Sequence, residues 1–260
     1  MFDAFDEENK VIFTGLKGLD ELIGGICYGD LVVVAGRPAV GKTSLLMQIT
    51  ESVSLTGSVL FFTSEMKTRE LVSRLLKFHA QRIGREKSID YLSNLKIQFD
   101  QTSIPTIDYI LNTSAALHKG GNLSLIVIDR FQLIKEALDR ADSVAMELKS
   151  LARELDVPVI CSSGLGREVD ARVSKRPILS DLRNCGDLDQ YANKVLFIYR
   201  EGIYFSSEEN KGKSEIICSK NNSKGIGHIV AKFSGELTRF LDFNGDRTLR
   251  VVDRKPNISS

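Results

Sequence analysis

The 260-residue chain is poor in the features that mark secreted, metal-built or membrane proteins. Its cysteines, Cys27, Cys161, Cys185 and Cys218, lie far apart with no C-x-x-C pair, which argues against a zinc site or a disulfide framework and fits a reducing cytosol. Nowhere do about 18 apolar residues run together, so no membrane span is expected. The N-terminus, MFDAFDEENK, has neither the basic start nor the apolar run of an export leader, and the expected location is cytoplasmic. Net charge is nearly absent: 35 Lys and Arg against 34 Asp and Glu leave +1, so any nucleic-acid binding must come from a local basic surface rather than overall attraction. Internal repeats and low-complexity tracts are missing too, which speaks against repeat arrays and disordered tails.

What remains is an ordinary globular composition, 42% hydrophobic and 27% charged, at a length that suits one large α/β domain. Short, continuously apolar runs mark strands of a parallel sheet buried on both faces. They are LVVVAG (Leu31 to Gly36), SVLFFTS (Ser58 to Ser64), LSLIVID (Leu123 to Asp129), VPVICSS (Val157 to Ser163) and KVLFIYR (Lys194 to Arg200). Helical patterns lie between them. After the first run, Leu45, Ile49 and Val53 share a helix face, and Gly57 is expected to close that helix in a left-handed conformation. After the third, Asp142 is expected to cap a helix carrying Val144, Leu148, Leu151 and Leu155. The tail differs: EIICSK (Glu215 to Lys220), GHIVAKF (Gly227 to Phe233) and TRFLDF predict a β-hairpin and an edge strand appended to the parallel core. Between residues 206 and 214, SSEENKGKS is expected to be a solvated insertion.

The stretch GRPAVGKT (Gly36 to Thr43) has the spacing of a phosphate cradle, leaving a strand and opening a helix. Gly36, Arg37, Pro38, Ala39, Val40, Gly41, Lys42, Thr43 and Ser44 are the expected nucleotide-binding residues, with backbone N–H groups of the loop and the helix N-terminus converging on phosphate. Lys42 neutralises the β and γ phosphates of ATP in this reading, and the Thr43 hydroxyl is a Mg²⁺ ligand. Asp129 ends its apolar run at the same sheet edge, placed to hold the ion's water shell; the bland alternative is a capping Asp. Glu65, ending the second run in FFTSEMK, is the candidate base for an attacking water, or else a surface Glu opening the next helix. Farther on, REVDARVSKRP brings Arg167, Arg172, Lys175 and Arg176 into one loop, a surface for phosphate contacts without sequence readout or simply a solvated charged loop. No aromatics interleave, so base stacking is not expected to dominate.

TGLKGLDELIGGICYGDL (Thr14 to Leu31) resembles the opening of RecA-like motor domains, recombinases and KaiC-type ATPases included. With SEMK, LIVIDRFQLI, LARELDVPVI and RPILSDLRNCGDLDQYANKVLFIYR in that order, residues 11 to 243 resemble the C-terminal motor domain of the DnaB family of replicative helicases. The resemblance implies a RecA-like P-loop core, a mostly parallel twisted sheet flanked by helices, over residues 11 to 260. Residues 1 to 10 then form an extension or linker remnant. It also implies a ring-shaped homo-hexamer on single-stranded DNA, with possible loader and replication partners; the family's N-terminal helical domain has no counterpart here, so the hexamer is expected to be weakened. By position, Arg183, Asn184 and Gly186 fall where the family's inner loop holds DNA, and Lys220 where a residue enters the neighbouring ATP site.

Three departures stand out. Gly164 and Gly166 replace the Gln that senses γ phosphate and an Asn; Asn222 replaces the cross-subunit arginine finger, leaving Lys220 or Lys224 as nearby cations; Arg130-Phe131-Gln132 displaces the family's aromatic after Asp129. The leading expectation is therefore an ATP-dependent DNA helicase motor. The alternatives are a degenerate paralogue acting as a nucleotide-dependent DNA or helicase-binding module, and a strand-exchange recombinase.

Overall fold

In a computed structural model the apolar runs form the middle of a ten-stranded sheet. Residues 5–6, 10–182, 184–205, 207–208, 210–242 and 250–252 are described. We number its strands β1 (Leu31–Gly36), β2 (Ser58–Thr63), β3 (Ile97–Asp100), β4 (Leu123–Asp129), β5 (Val159–Gly164), β6 (Lys194–Tyr199), β7 (Lys213–Asn221), β8 (Ile226–Ser234), β9 (Arg239–Asp242) and β10 (Arg250–Val252). Their order is β9-β8-β7-β6-β1-β5-β4-β2-β3, with β10 also on β8. From β6 to β3 every neighbour is parallel, and from β6 to β9 every neighbour is antiparallel. The parallel part collects its strand ends, and the loops leaving them, on one edge.

Alternating side chains of β1 feed two cores. Val32 and Val34 join Leu45, Ile49 and Val53 of α2 (Lys42–Ser54), while Leu31, Val33 and Ala35 join Val144, Leu148 and Leu151 of α6 (Ala141–Leu155). Helix α1 (Lys17–Ile23) adds to the first core. So do α3 (Thr68–Ile83), through Leu71 and Leu75, and α4 (Arg85–Ser93), through the half-buried Leu92. Helix α5 (Ile107–Lys119) adds to the second, and α7 (Glu168–Ala171) and α8 (Leu188–Tyr191) are single turns at its margin. A small three-stranded sheet, Phe5–Asp6, Val11–Ile12 and Ile26–Cys27, precedes β1.

Buried charge ties the elements together. Glu51 of α2, 3% exposed, accepts from Tyr91 of α4 at 3.0 Å, meets His79 of α3 at 2.6 Å and pairs with Arg239 of β9. The fully buried Lys194 ammonium lies 2.6 Å from Asp30 and 3.0 Å from Ser223 in the β7–β8 turn. Removing one partner of such a pair would leave a charge without water or counter-ion, so these contacts fix α2 and the hairpin against the sheet.

Two local expectations are corrected. Gly57 is not among the glycines with positive φ; a Cβ there would stand 1.9 Å from the Ser124 hydroxyl, so close approach of two segments demands the glycine. Asp142 is inside α6 and caps nothing: Arg140 stands at the cap, and the Asp142 carboxylate accepts the Asp187 N–H at 2.5 Å.

Candidate nucleotide site

Strand β1 ends at Gly36 and α2 starts at Lys42, so residues 37–41 form a tight loop over the helix N-terminus. A Cβ on Gly36 would stand 2.8 Å from Val40 and 2.9 Å from the Ile198 carbonyl, which only glycine avoids. Gly41 has φ 110°, and a Cβ there would press within 2.9 Å of Phe240. Inside the loop the Lys42 ammonium donates to the Gly36 and Arg37 carbonyls at 3.1 and 3.2 Å. Burial holds Lys42 below the usual lysine range; Asp129 opposes the shift and Arg130 adds to it. Pro38 and Ala39 are exposed at the tip, while Val40 and Ser44 are buried beneath it. Arg37 turns away from the loop, its guanidinium forked on Asp170 at 2.6 and 3.1 Å and donating to the Leu165 carbonyl at 2.8 Å.

The Thr43 hydroxyl donates to the Asp129 carboxylate at 2.7 Å, and Ser162 of β5 donates to the other Asp129 oxygen at 2.5 Å. A hydroxyl and a carboxylate so close are hard oxygen donors that fit Mg²⁺, an ion that keeps most of its waters. Among the described residues no cluster of three His, Cys, Asp or Glu forms, in keeping with so sparse a ligand set. Glu65 follows β2 at the same edge, its carboxylate 2.9 Å from Arg130 Nη2. Gln132 lies across the end of β5, donating to the Ser163 hydroxyl and the Gly164 carbonyl at 3.0 and 3.1 Å and accepting the Gly164 N–H at 3.2 Å.

Placement of the expected DNA residues is more mixed. Arg183 lies outside the described residues; Asn184 opens the extended stretch Asn184–Asp187, which Gly186, at φ 62°, brings against Asp142. Arg167 is exposed. Arg172 forks on Asp181 at 2.7 and 2.8 Å, Arg176 forks on Glu215 at 2.6 and 2.9 Å, and Lys175 donates to the Asp170 carbonyl. Lys220 donates to the Asp189 and Gln190 carbonyls, both at 2.9 Å, and Lys224 to the Glu21 carbonyl at 2.7 Å. The Asn222 N–H donates to the Asn193 carbonyl at 3.0 Å.

Sequence reasoning missed Ser162, Arg200 and the role of Arg130. Arg200, ending the β6 run, donates to the Ala39 carbonyl at 3.1 Å and lies over the Phe233 ring. A shared signal could have found these residues: each is a polar side chain in or just after an apolar run that ends at the phosphate edge.

The family described as "DnaB-like helicase C terminal domain" matches residues 11–242. The replicative DNA helicase DnaB of Geobacillus stearothermophilus is 34% identical over 261 residues; the match covers 91% of this chain and 58% of that protein, so the chain spans less than two thirds of its relative's length. Among solved structures, an ATPase domain superposes with a TM-score of 0.83 at 28% identity, covering 89% of this chain and 90% of that one. A DnaB-like replicative helicase solved for its interactions with primase gives 0.81 at 28% identity, covering 89% of this chain and 61% of that one.

Proposed function

We propose, for a chain that belongs to the DnaB-like helicase C terminal domain family, that residues 11–260 are an ATP-hydrolysing motor that travels on single-stranded DNA and unwinds duplex during replication. The observation that carries this reading is the contact of Thr43 with Asp129 directly below the Gly36–Thr43 loop. Loop N–H groups and Lys42 neutralise the phosphates, and Thr43 with Asp129 would hold Mg²⁺, which supplies further charge neutralisation when bound. Glu65 takes the proton of the attacking water. Lys220 approaches the ATP site of a neighbouring copy in a homo-hexamer, an assembly weakened if no N-terminal domain accompanies this chain. Replication proteins such as loaders or primase are the further partners, as the primase-linked relative supports.

DNA is held by Arg183, Asn184 and Gly186 with Arg167, Arg172, Lys175 and Arg176 around them. The Arg37–Asp170 fork joins the phosphate loop to that segment, a physical route from nucleotide to DNA. A second reading, a nucleotide-dependent binding module with weak hydrolysis, is favoured by one observation: Lys220 and Lys224 both end on carbonyls of their own chain, and Asn222 carries no charge. Steady-state ATP turnover with and without single-stranded DNA, with mass measured by light scattering in the same buffer, separates the two. Stimulated turnover by an oligomer is the expected result; tight nucleotide binding with negligible turnover by the same oligomer would favour the module.

A further inference from the structure

Arg130 is a guanidinium that the functional reading above leaves without a task. It directly follows Asp129, its side chain is 29% exposed, and one terminal nitrogen is 2.9 Å from Glu65. The other terminal nitrogen lies 3.7 Å from where a Cβ of residue 164 would stand, so the absence of a side chain at Gly164 leaves room beside it. Gly164 pairs in register with Gly36, the residue that opens the phosphate loop. The Arg130 Nε is buried and has no hydrogen-bond partner, so the guanidinium keeps a donor that a rearrangement of the side chain would satisfy. Arg130 is thus a second cation beside Lys42, within the same chain.

We infer that Arg130 contacts the γ phosphate from within its own subunit, exchanging Glu65 for the phosphate oxygens when a triphosphate binds. This rests on the motor reading of the Gly36–Thr43 loop. A terminal phosphate carries more charge and more acceptor oxygens than a carboxylate, and the planar guanidinium suits it in a forked geometry. The exchange has a second consequence. While Glu65 is held on Arg130 its carboxylate oxygen is occupied and not free to face a water, so release arms Glu65 only when the γ phosphate is present. Diphosphate lacks the group that triggers the exchange, which leaves Arg130 on Glu65 and the base disarmed.

The test compares the full chain with Arg130→Gln and Arg130→Lys, using equilibrium binding of ADP and of a non-hydrolysable ATP analogue with Mg²⁺, and turnover at saturating ATP. For Arg130→Gln the analogue should bind about tenfold or more weakly, the size expected for losing a charged hydrogen bond, while ADP affinity holds. Turnover should fall by about 10³-fold or more, as when an arginine finger is removed. Arg130→Lys should recover part of the analogue affinity, since it keeps the charge and loses the fork. An unchanged ratio of analogue to ADP affinity in Arg130→Gln would overturn the inference: with turnover lowered, Arg130 would only position Glu65, and with turnover held it would do neither. Equal loss of both nucleotides would overturn it as well. Lys42→Ala in the same assay keeps the two readings apart: if it abolishes nucleotide binding while Arg130→Gln does nothing, only the Arg130 inference fails; if wild type binds neither nucleotide, the motor reading fails with it.

Discussion

At the phosphate edge Thr43 and Ser162 both donate to Asp129 below the loop that carries Lys42, whereas across residues 165–187 and the β7–β8 hairpin the cations scatter. There Arg172, Arg176, Lys220 and Lys224 each end on an oxygen of their own chain. The first region is assembled within one chain. In the second, every such cation must give up an internal partner before it can touch the DNA or the neighbouring copy of the proposed function. Under the proposed function, the difference teaches that nucleotide capture and DNA contact are prepared to unequal degrees in an isolated chain, and that for these four cations binding a polyanion is an exchange of internal partners rather than a simple gain.

The largest way to break this contrast is at Glu65. Glu65→Gln keeps the shape of the side chain and removes its basicity, so turnover should fall by about 10²- to 10⁴-fold, the range for loss of a general base. ATP affinity should be spared, because in the proposed site the contacts to phosphate come from the loop, Lys42 and Arg130 and none from Glu65. Single-turnover kinetics beside equilibrium binding measures both, and unchanged turnover would show that the phosphate edge of one chain does not contain the base.

A smaller effect is expected at the link between the regions. Arg37 leaves the phosphate loop to fork on Asp170, and it holds that carboxyl below the ordinary aspartate range. The pair is partly exposed, 17% on the arginine and 39% on the aspartate, so Asp170→Asn should change unfolding stability by less than about 1 kcal/mol. The ratio of turnover with and without single-stranded DNA should nonetheless drop by about fivefold, the lower end of ordinary coupling between sites. A full ratio in Asp170→Asn would mean that the two regions communicate by another route.

How far these regions were legible in the sequence follows the same division. The phosphate loop, Asp129 and the strands beneath them are local: a run of apolar residues, a turn and a helix start are all written within a few positions, and the bounds of β1 and β4 agree with the apolar runs. Strand β3 was invisible because it lies at the sheet edge with Ile97 and Phe99 only half-buried, so no continuous apolar run marks it. Glu51, in the helix that follows the phosphate loop, is buried on partners 28, 40 and 188 positions away, which no local spacing announces. Asp142 had the residue type and place of a cap, but tertiary contact with Asp187 claimed its carboxylate. The basic loop was legible as charge and not as pairing: Glu215, which answers Arg176, lies 39 residues on and on a different element. Local chemistry is readable from spacing; the partner that neutralises it is set by topology.

The subtlest expected effect sharpens the contrast within the basic loop itself. Arg167 is exposed and forms no ion pair with any described carboxylate, whereas Arg176 is forked on Glu215, whose side chain is only 7% exposed. If phosphate binding draws on cations without internal partners, Arg167→Ala should lower the steepness of DNA affinity against salt by about 0.7, the single-strand value for one lost phosphate contact. Arg176→Ala should leave that slope nearly unchanged and instead cost about 1–3 kcal/mol of stability, because Glu215 would stay buried without its donor. Affinity titrations at several salt concentrations, paired with denaturant unfolding, read both quantities on both variants. A slope change at Arg176 as large as at Arg167 would show that the fork opens on DNA, and the hairpin face would then be a reservoir of phosphate contacts rather than a structural brace.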